Sequence, residues 1–344
     1  MKIVADTNIP FLKGVFEPYG EVVYKDGRAI GREDCLDADV LIIRTRTRCD
    51  AALLEGTRVK VIATATIGMD HVDMPWCIEH GIIVYNAEGC NAGGVVDYVL
   101  SALYGVASRK AIRLEGETIG IVGVGHVGER VAEAAQKLGF QALLCDPPRA
   151  EMEGPDKFCS LEFLLENSQI VTMHTPLDDS TRIMADEDFF QKIAPGTIFI
   201  NASRGEVVDE TALMRARPKL GAVVIDTWCN EPDVNRNLID VCDIATPHIA
   251  GYSYQGKQMG TAMAVRSVAK HFGIDALKDY FPETESPDLD PIRIDVSGKS
   301  QGEITSILQY NYPIFTDDFF FRSAPENFEK IRSEYRYRRE FYID

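Results

Sequence analysis

No stretch of the chain approaches the roughly 18 consecutive apolar residues that a membrane-spanning helix needs, and Asp6 and Pro10 stand where a secretory signal would carry its apolar core. A cytoplasmic location is expected. Basic residues are in short supply too: 36 Lys and Arg against 53 Asp and Glu leave a net charge of −17. Phosphate backbones and anionic membrane surfaces are held by an excess of positive charge, so nucleic acid and membranes are excluded as general partners. An anionic small molecule can still bind where arginines, helix N-termini or backbone N–H groups are locally concentrated. The eight cysteines form no CxxC pair and no Cys–His spacing suited to zinc, so they are read as reduced thiols and no metal site is expected. Repeats of solenoid period are absent as well.

What is present is an alternation. Short β-branched runs, KIVAD (2–6), EVVYK (21–25), DVLIIR (39–44), VKVIATAT (59–66) and GIIVYN (81–86), alternate with polar or helical stretches. A second series follows: TIGIVGV (118–124), QALLCD (141–146), QIVTMH (169–174), GTIFINA (196–202), GAVVID (221–226) and CDIATP (242–247). This rhythm implies parallel strands joined by crossover helices, and two doubly wound α/β sheets of Rossmann or flavodoxin type in tandem. A long helix from Gly93 to Lys110 and a second from Gly260 to Phe272 predict that the chain leaves the first domain and returns to it. The expected division is 1–93 with 253–279 as a substrate-binding domain, 94–252 as a dinucleotide-binding domain, and 280–344 as a small α+β domain for dimerisation. The last opens on the acidic, proline-rich PETESPDLDP and continues through a strand-like PIRIDV to a charged helix, PENFEKIRSEYRYRREFY.

Gly123-Val124-Gly125-His126-Val127-Gly128 follows the apolar run TIGIV and opens an apparent helix. Glycines there allow a tight turn and let a pyrophosphate approach the backbone at the helix N-terminus. A lone GxGxxG is weak, but here the next apolar run ends in Asp146, placed to accept from the ribose hydroxyls of NAD and to repel the extra phosphate of NADP; the competing reading is a turn aspartate before Pro147-Pro148. Arg204 leaves the end of another predicted strand, where a guanidinium can clamp a carboxylate; taken alone, a surface arginine explains it as well. Glu231 and His248 also fall at strand ends. Removing a hydroxyl proton needs a base near neutral pH, and a histidine beside a carboxylate suits that task. His174, at the end of QIVTMH, is the rival base.

The ordered motifs GVGHVG, HTPL, INASRGEVVDETAL, DTWCNEP and PHIAG resemble the D-isomer-specific 2-hydroxyacid dehydrogenases over nearly all of residues 1–275. The resemblance implies Arg204 as carboxylate clamp, Glu231 as partner of the base, His248 as acid and base, Asp226 on the nicotinamide side, and Thr175, Ala202, Ser203, Arg204 and Gly251 at the cofactor. ATATIGMDHVD, EGCNAGGVVDYV, CDPPRA, HIAGYSYQGK and FEKIRSEYRYRRE are similar to a narrower branch whose tail serves dimerisation. That likeness implies NAD-linked oxidation of 4-phospho-D-erythronate, a step toward pyridoxal phosphate, with Thr45, Thr66 and Tyr252 contacting substrate. A phosphate site is then required. In RTRTR, strand spacing would set Arg44, Arg46 and Arg48 on one face; Arg44 is the preferred phosphate ligand, whereas Arg46 and Arg48 are equally explained as solvated arginines that deter edge pairing. Two other readings remain open: a dehydrogenase of another D-2-hydroxyacid such as 3-phosphoglycerate, and an NAD-sensing dimer without catalysis.

Overall fold

Every apolar run between KIVAD and CDIATP forms a strand, most of them trimmed at their ends, and the central strands are buried on both faces. The computed structural model describes residues 1–344. It divides into two units, residues 1–91 with 254–290, and residues 92–253 with 291–344.

In the first unit, β1 (Lys2–Asp6), β2 (Glu21–Lys25), β3 (Val40–Ile43), β4 (Val61–Thr64) and β5 (Ile83–Tyr85) form a parallel sheet ordered β2-β1-β3-β4-β5. Its faces bury two apolar clusters, one of which takes Val265 and Val268 from the helix Tyr254–Phe272. That helix starts at Tyr254, ahead of the predicted Gly260. Gly260 is a contact rather than a start signal: a Cβ there would lie 2.6 Å from the carbonyl oxygen of Ala65 at the end of β4, so only glycine lets the helix pack so close.

The second unit holds β6 (Thr118–Val122), β7 (Gln141–Cys145), β8 (Ile170–Met173), β9 (Ile198–Asn201), β10 (Ala222–Ile225) and β11 (Ile244–Ala245), all parallel, in the order β11-β10-β9-β8-β6-β7. The chain runs outward from β6 to β7 and then crosses back to β8 on the other side of β6. Strand order therefore reverses between β6 and β8, and the crevice beyond their carboxyl ends is where open α/β sheets bind ligands. Ile, Val and Phe side chains of β8 to β10 are buried completely or nearly so, each stabilising the sheet by about 1.5–3 kcal/mol.

Two expectations are corrected. RTRTR is no strand: β3 ends at Ile43, the Thr47 amide closes a turn on the carbonyl of Arg44, and the Thr47 hydroxyl donates to the carbonyl of Gly27 at 2.9 Å. Thr47 is thus drawn inside while Arg48 is exposed and paired with Asp50, so the alternation carries no common arginine face. The charged helix of the tail is also cut short, running only from Phe328 to Ser333. Beyond it Arg338 and Glu340 are buried on backbone carbonyls and on Ser253, and these bonds pull the chain into β13 (Phe341–Ile343), which pairs in parallel with β12 (Ile292–Ile294). Helices Gln301–Asn311 and Ile314–Ser323 lie between them. Leu308, Phe321, Phe328 and Phe341 are buried in the core clusters of the second unit, so residues 291–344 are built into it rather than standing apart.

Candidate active site

The glycine loop takes its shape from three different constraints. Gly123 has φ +86°, and a Cβ on it would lie 2.7 Å from the backbone carbon of His174, so the β6 and β8 ends can meet only at glycine. Gly128 faces the Gly123 carbonyl, 2.1 Å from where its own Cβ would be. Gly125 has open space where a Cβ would project and precedes the helix His126–Lys137, whose N-terminus carries no side-chain cap. Helix-packing, turn and ligand-facing glycines are thus separated along the motif as a pyrophosphate cradle requires. His126 is exposed and Val127 half-buried on its first turn.

Asp146, at the end of β7, accepts from the Val124 amide at 2.8 Å and caps the next helix through the Arg149 amide at 3.0 Å. Asp146 thus holds the glycine loop and caps the following helix at the same strand end. Arg149, which could otherwise attract a second phosphate, is spent on Glu153 and on the Val124 carbonyl. Thr175, next to the Gly123 contact, is buried with a hydroxyl that has no hydrogen-bond partner.

His248 and Glu231 are brought together directly. The imidazole Nδ1 lies 2.8 Å and 3.0 Å from the two carboxylate oxygens. A carboxylate only accepts, so Nδ1 carries the proton, and in the neutral ring Nε2 keeps its lone pair. Burial pushes the Glu231 carboxyl up, but the His248 charge and hydrogen bond, the Trp228 amide and Arg332 outweigh it and hold the group below its ordinary value. His248 itself has φ +56°, a left-handed conformation unusual for a side chain with a Cβ. Asp226, fully buried, fixes that turn: its carboxylate accepts from the amides of Ile249 and Ala250 and from the Thr246 hydroxyl, and its carbonyl takes the His248 amide. Desolvation raises the Asp226 pKa against these bonds. The carboxylate is spent on the loop, so it shapes the site through His248.

Arg204 leaves β9 with its Nη1 on the Ser203 carbonyl, while the Ser203 amide and hydroxyl both turn back on Asn201. Ala202 sits half-buried between them, as does Gly251 beyond His248. Gly205 sets the neighbourhood: a Cβ would fall 2.0 Å from the backbone carbon of Trp228, so the Arg204 turn rides on the segment that leads to Glu231. His174, the rival base, is desolvated, with its pKa pushed down to about 3, and bonds Thr172. An imidazole so weakly basic is unsuited to taking a proton at neutral pH.

The substrate candidates are divided between the units. Arg44, Thr45, Arg46 and Thr66 belong to the first, at the carboxyl ends of β3 and β4. Arg44 is bound by the buried Asp6 at 2.8 Å, and the Thr66 hydroxyl pairs with Thr64 at 2.6 Å. Tyr252 belongs to the second, edge-on to Tyr335 and Tyr337. The tail residues Arg332, Arg338 and Glu340 that crowd this loop were missed as site residues; the density of arginine in IRSEYRYRRE, unusual in so acidic a chain, was the available signal.

The model of the D-isomer specific 2-hydroxyacid dehydrogenase NAD binding domain matches residues 103–250. An erythronate-4-phosphate dehydrogenase of Chromohalobacter salexigens is 42% identical, over 99% of this chain and 92% of its own. The chain belongs to the erythronate-4-phosphate dehydrogenase branch of the D-isomer specific 2-hydroxyacid dehydrogenases. Its Bacteroides fragilis relative of the same name is 41% identical over 99% of this chain and 97% of that one. Among solved structures, 3-phosphoglycerate dehydrogenase of Entamoeba histolytica with NAD+ bound superposes with a TM-score of 0.67 and 28% identity, over 81% of this chain and 97% of that one. As a member of the family, the chain is an NAD-dependent dehydrogenase with two Rossmann-type sheets. The open face at Gly125, the uncapped helix and the orphaned Thr175 hydroxyl fit the dinucleotide.

Proposed function

We propose that the chain oxidises 4-phospho-D-erythronate to 3-hydroxy-2-oxo-4-phosphooxybutanoate, in the synthesis of pyridoxal phosphate. The observation that carries the chemistry is the His248–Glu231 pair, with Nδ1 fixed on the carboxylate at 2.8 Å. His248 takes the proton of the substrate's 2-hydroxyl at Nε2, and the imidazolium that results is stabilised by Glu231. NAD, when bound, would supply the acceptor for the hydride on the carbon that bears this hydroxyl. Arg204 clamps the carboxylate and orients that carbon. Gly123, Gly125, His126, Val127 and Gly128 hold the pyrophosphate, Asp146 the ribose, and Thr175, Ala202, Ser203 and Gly251 the rest of the cofactor. Arg44, Thr45, Arg46, Thr66 and Tyr252 are the substrate contacts of this reading. Substrate identity rests on relatives of nearly the same length that carry that name.

A homodimer formed by the tail belongs to the same reading. Tyr310, Phe319 and Phe320 are large and exposed on two consecutive tail helices, a face that a second copy would cover. Eight thiols without a disulfide suit a reducing cytoplasm.

Initial rates of reduced-nicotinamide formation with 4-phospho-D-erythronate, 3-phosphoglycerate and D-lactate test the substrate, with a 2-oxoacid added to reoxidise cofactor that stays bound. Turnover confined to the four-carbon phosphoacid is expected. Turnover only on either of the others would discard this substrate and keep the family.

A further inference from the structure

Arg332 is an oddity of the second unit. Its side chain is only 16% exposed and its Nε is buried without a partner. The nearest carboxylate oxygens, on Glu329 and Glu231, lie 3.7 Å and 4.0 Å from Nη1, beyond hydrogen-bond distance. Its guanidinium also lies near the rings of Phe328 and Tyr252, 5.5 Å and 5.8 Å from the guanidinium carbon. A guanidinium presents five N–H groups in a planar fork, and burying its Nε–H without a partner is costly. Arg338 shows the contrast six residues on: its donors are spent on the carbonyls of Gly94, Ile249, Ala250 and Tyr252.

Glu231 does not account for Arg332. Its Oε1 and Oε2 already take His248 Nδ1, and Oε1 the Trp228 amide as well. A fork with an unbonded Nε–H, beside the carboxylate partner of the proposed base and beside Tyr252, is instead suited to an oxyanion that arrives with the ligand. The proposed substrate carries two anionic ends, and Arg204 is assigned to the carboxylate. The segment that bears Arg332 lies within the 99% of the chain shared with relatives named for a phosphorylated acid.

We propose that Arg332 is a substrate-binding residue that takes the phosphate of the phosphorylated hydroxyacid in a forked contact, so that the tail contributes directly to substrate selection. The proposal rests on the functional reading above. The phosphate satisfies the Nε–H left open and balances a cation that Glu231 and Glu329 only loosely neutralise. Arg332 therefore governs affinity for the phosphoacid and the choice between phosphorylated and unphosphorylated acids, more than the rate of hydride transfer.

The test measures kcat and KM of the full-length chain and its Arg332→Gln and Arg332→Lys variants with 4-phospho-D-erythronate and with D-erythronate, alongside NAD affinity as a check on folding. For Arg332→Gln the ratio of kcat/KM for the phosphorylated over the unphosphorylated acid should fall about 100-fold, chiefly through KM, with partial rescue in Arg332→Lys because a lysine restores charge without the fork. Inorganic phosphate should compete with the acid in the parent chain and lose that competition in Arg332→Gln, which separates the phosphate group from the rest of the substrate. A ratio preserved in Arg332→Gln, or a fall in kcat shared by both acids, would overturn the role of Arg332 while leaving the functional reading in place. A parent chain that does not prefer the phosphorylated acid would overturn both.

Discussion

Replacing Glu231 with Gln removes one charge and little else. Glutamine keeps the length of the side chain and an oxygen that can accept from His248 Nδ1 and the Trp228 amide, which now bond the carboxylate at 2.8–3.0 Å. What it loses is the attraction to an imidazolium that exists only once the substrate proton has moved. Two unit charges about 4 Å apart attract by about 4 kcal/mol at an effective dielectric of about 20. The carboxylate is 20% exposed, and the glutamine dipole retains part of the interaction, so the net loss should be about 2–3 kcal/mol. Because the charge develops in the transition state, this falls on kcat, by about 30- to 150-fold. The assay is the pH dependence of kcat for NAD reduction. With its imidazolium destabilised, Glu231→Gln should have a lower plateau. The stability sign is separate: Glu231 is held below its ordinary carboxyl value, so its contribution is fully present above pH 4.5 and fades as pH falls through the lower folded value. An unchanged plateau in Glu231→Gln would refute the pairing as a catalytic device.

Three other outcomes follow from the geometry. Gly128→Ala should cost about 2–4 kcal/mol in a urea titration and weaken NAD binding, since its Cβ would meet a backbone carbonyl at 2.1 Å that has no freedom to withdraw; an unaltered midpoint would contradict the close approach. Asp146→Asn should lower the preference for NAD over NADP at least tenfold in kcat/KM ratios, and an unchanged ratio would leave Asp146 with its capping role alone. Joint replacement of Phe319 and Phe320 by Ser should convert a dimer to monomer by light scattering without lowering the melting temperature by more than a few degrees, because both side chains face solvent within one chain; a dimer that persists would place the interface elsewhere.

The sheets were legible because parallel strands buried on both faces write themselves as continuous β-branched runs, and each run supplied its own turn. His248, Glu231 and Arg204 were legible for a related reason: each stands just past a strand end, where an α/β sheet places its ligands. RTRTR misled because alternation alone does not say whether pairing continues, and the Thr47–Gly27 bond that ends it joins residues far apart in sequence. The tail was least readable. Its helices are short, and the course of residues 334–344 is set by Arg338 reaching the carbonyls of Ile249 and Tyr252 and by β13 finding β12, contacts that no local pattern encodes. The same long-range packing explains why Arg332 came into view only with the fold.

The most direct test of the account is His248→Asn, read as reduced-nicotinamide formation from 4-phospho-D-erythronate together with NAD affinity. Loss of the base should lower kcat by at least about a thousandfold, with NAD affinity unchanged because the glycine loop is untouched. Turnover close to that of the parent chain would show that His248 is not the proton acceptor and would contradict the mechanism built on its pairing with Glu231.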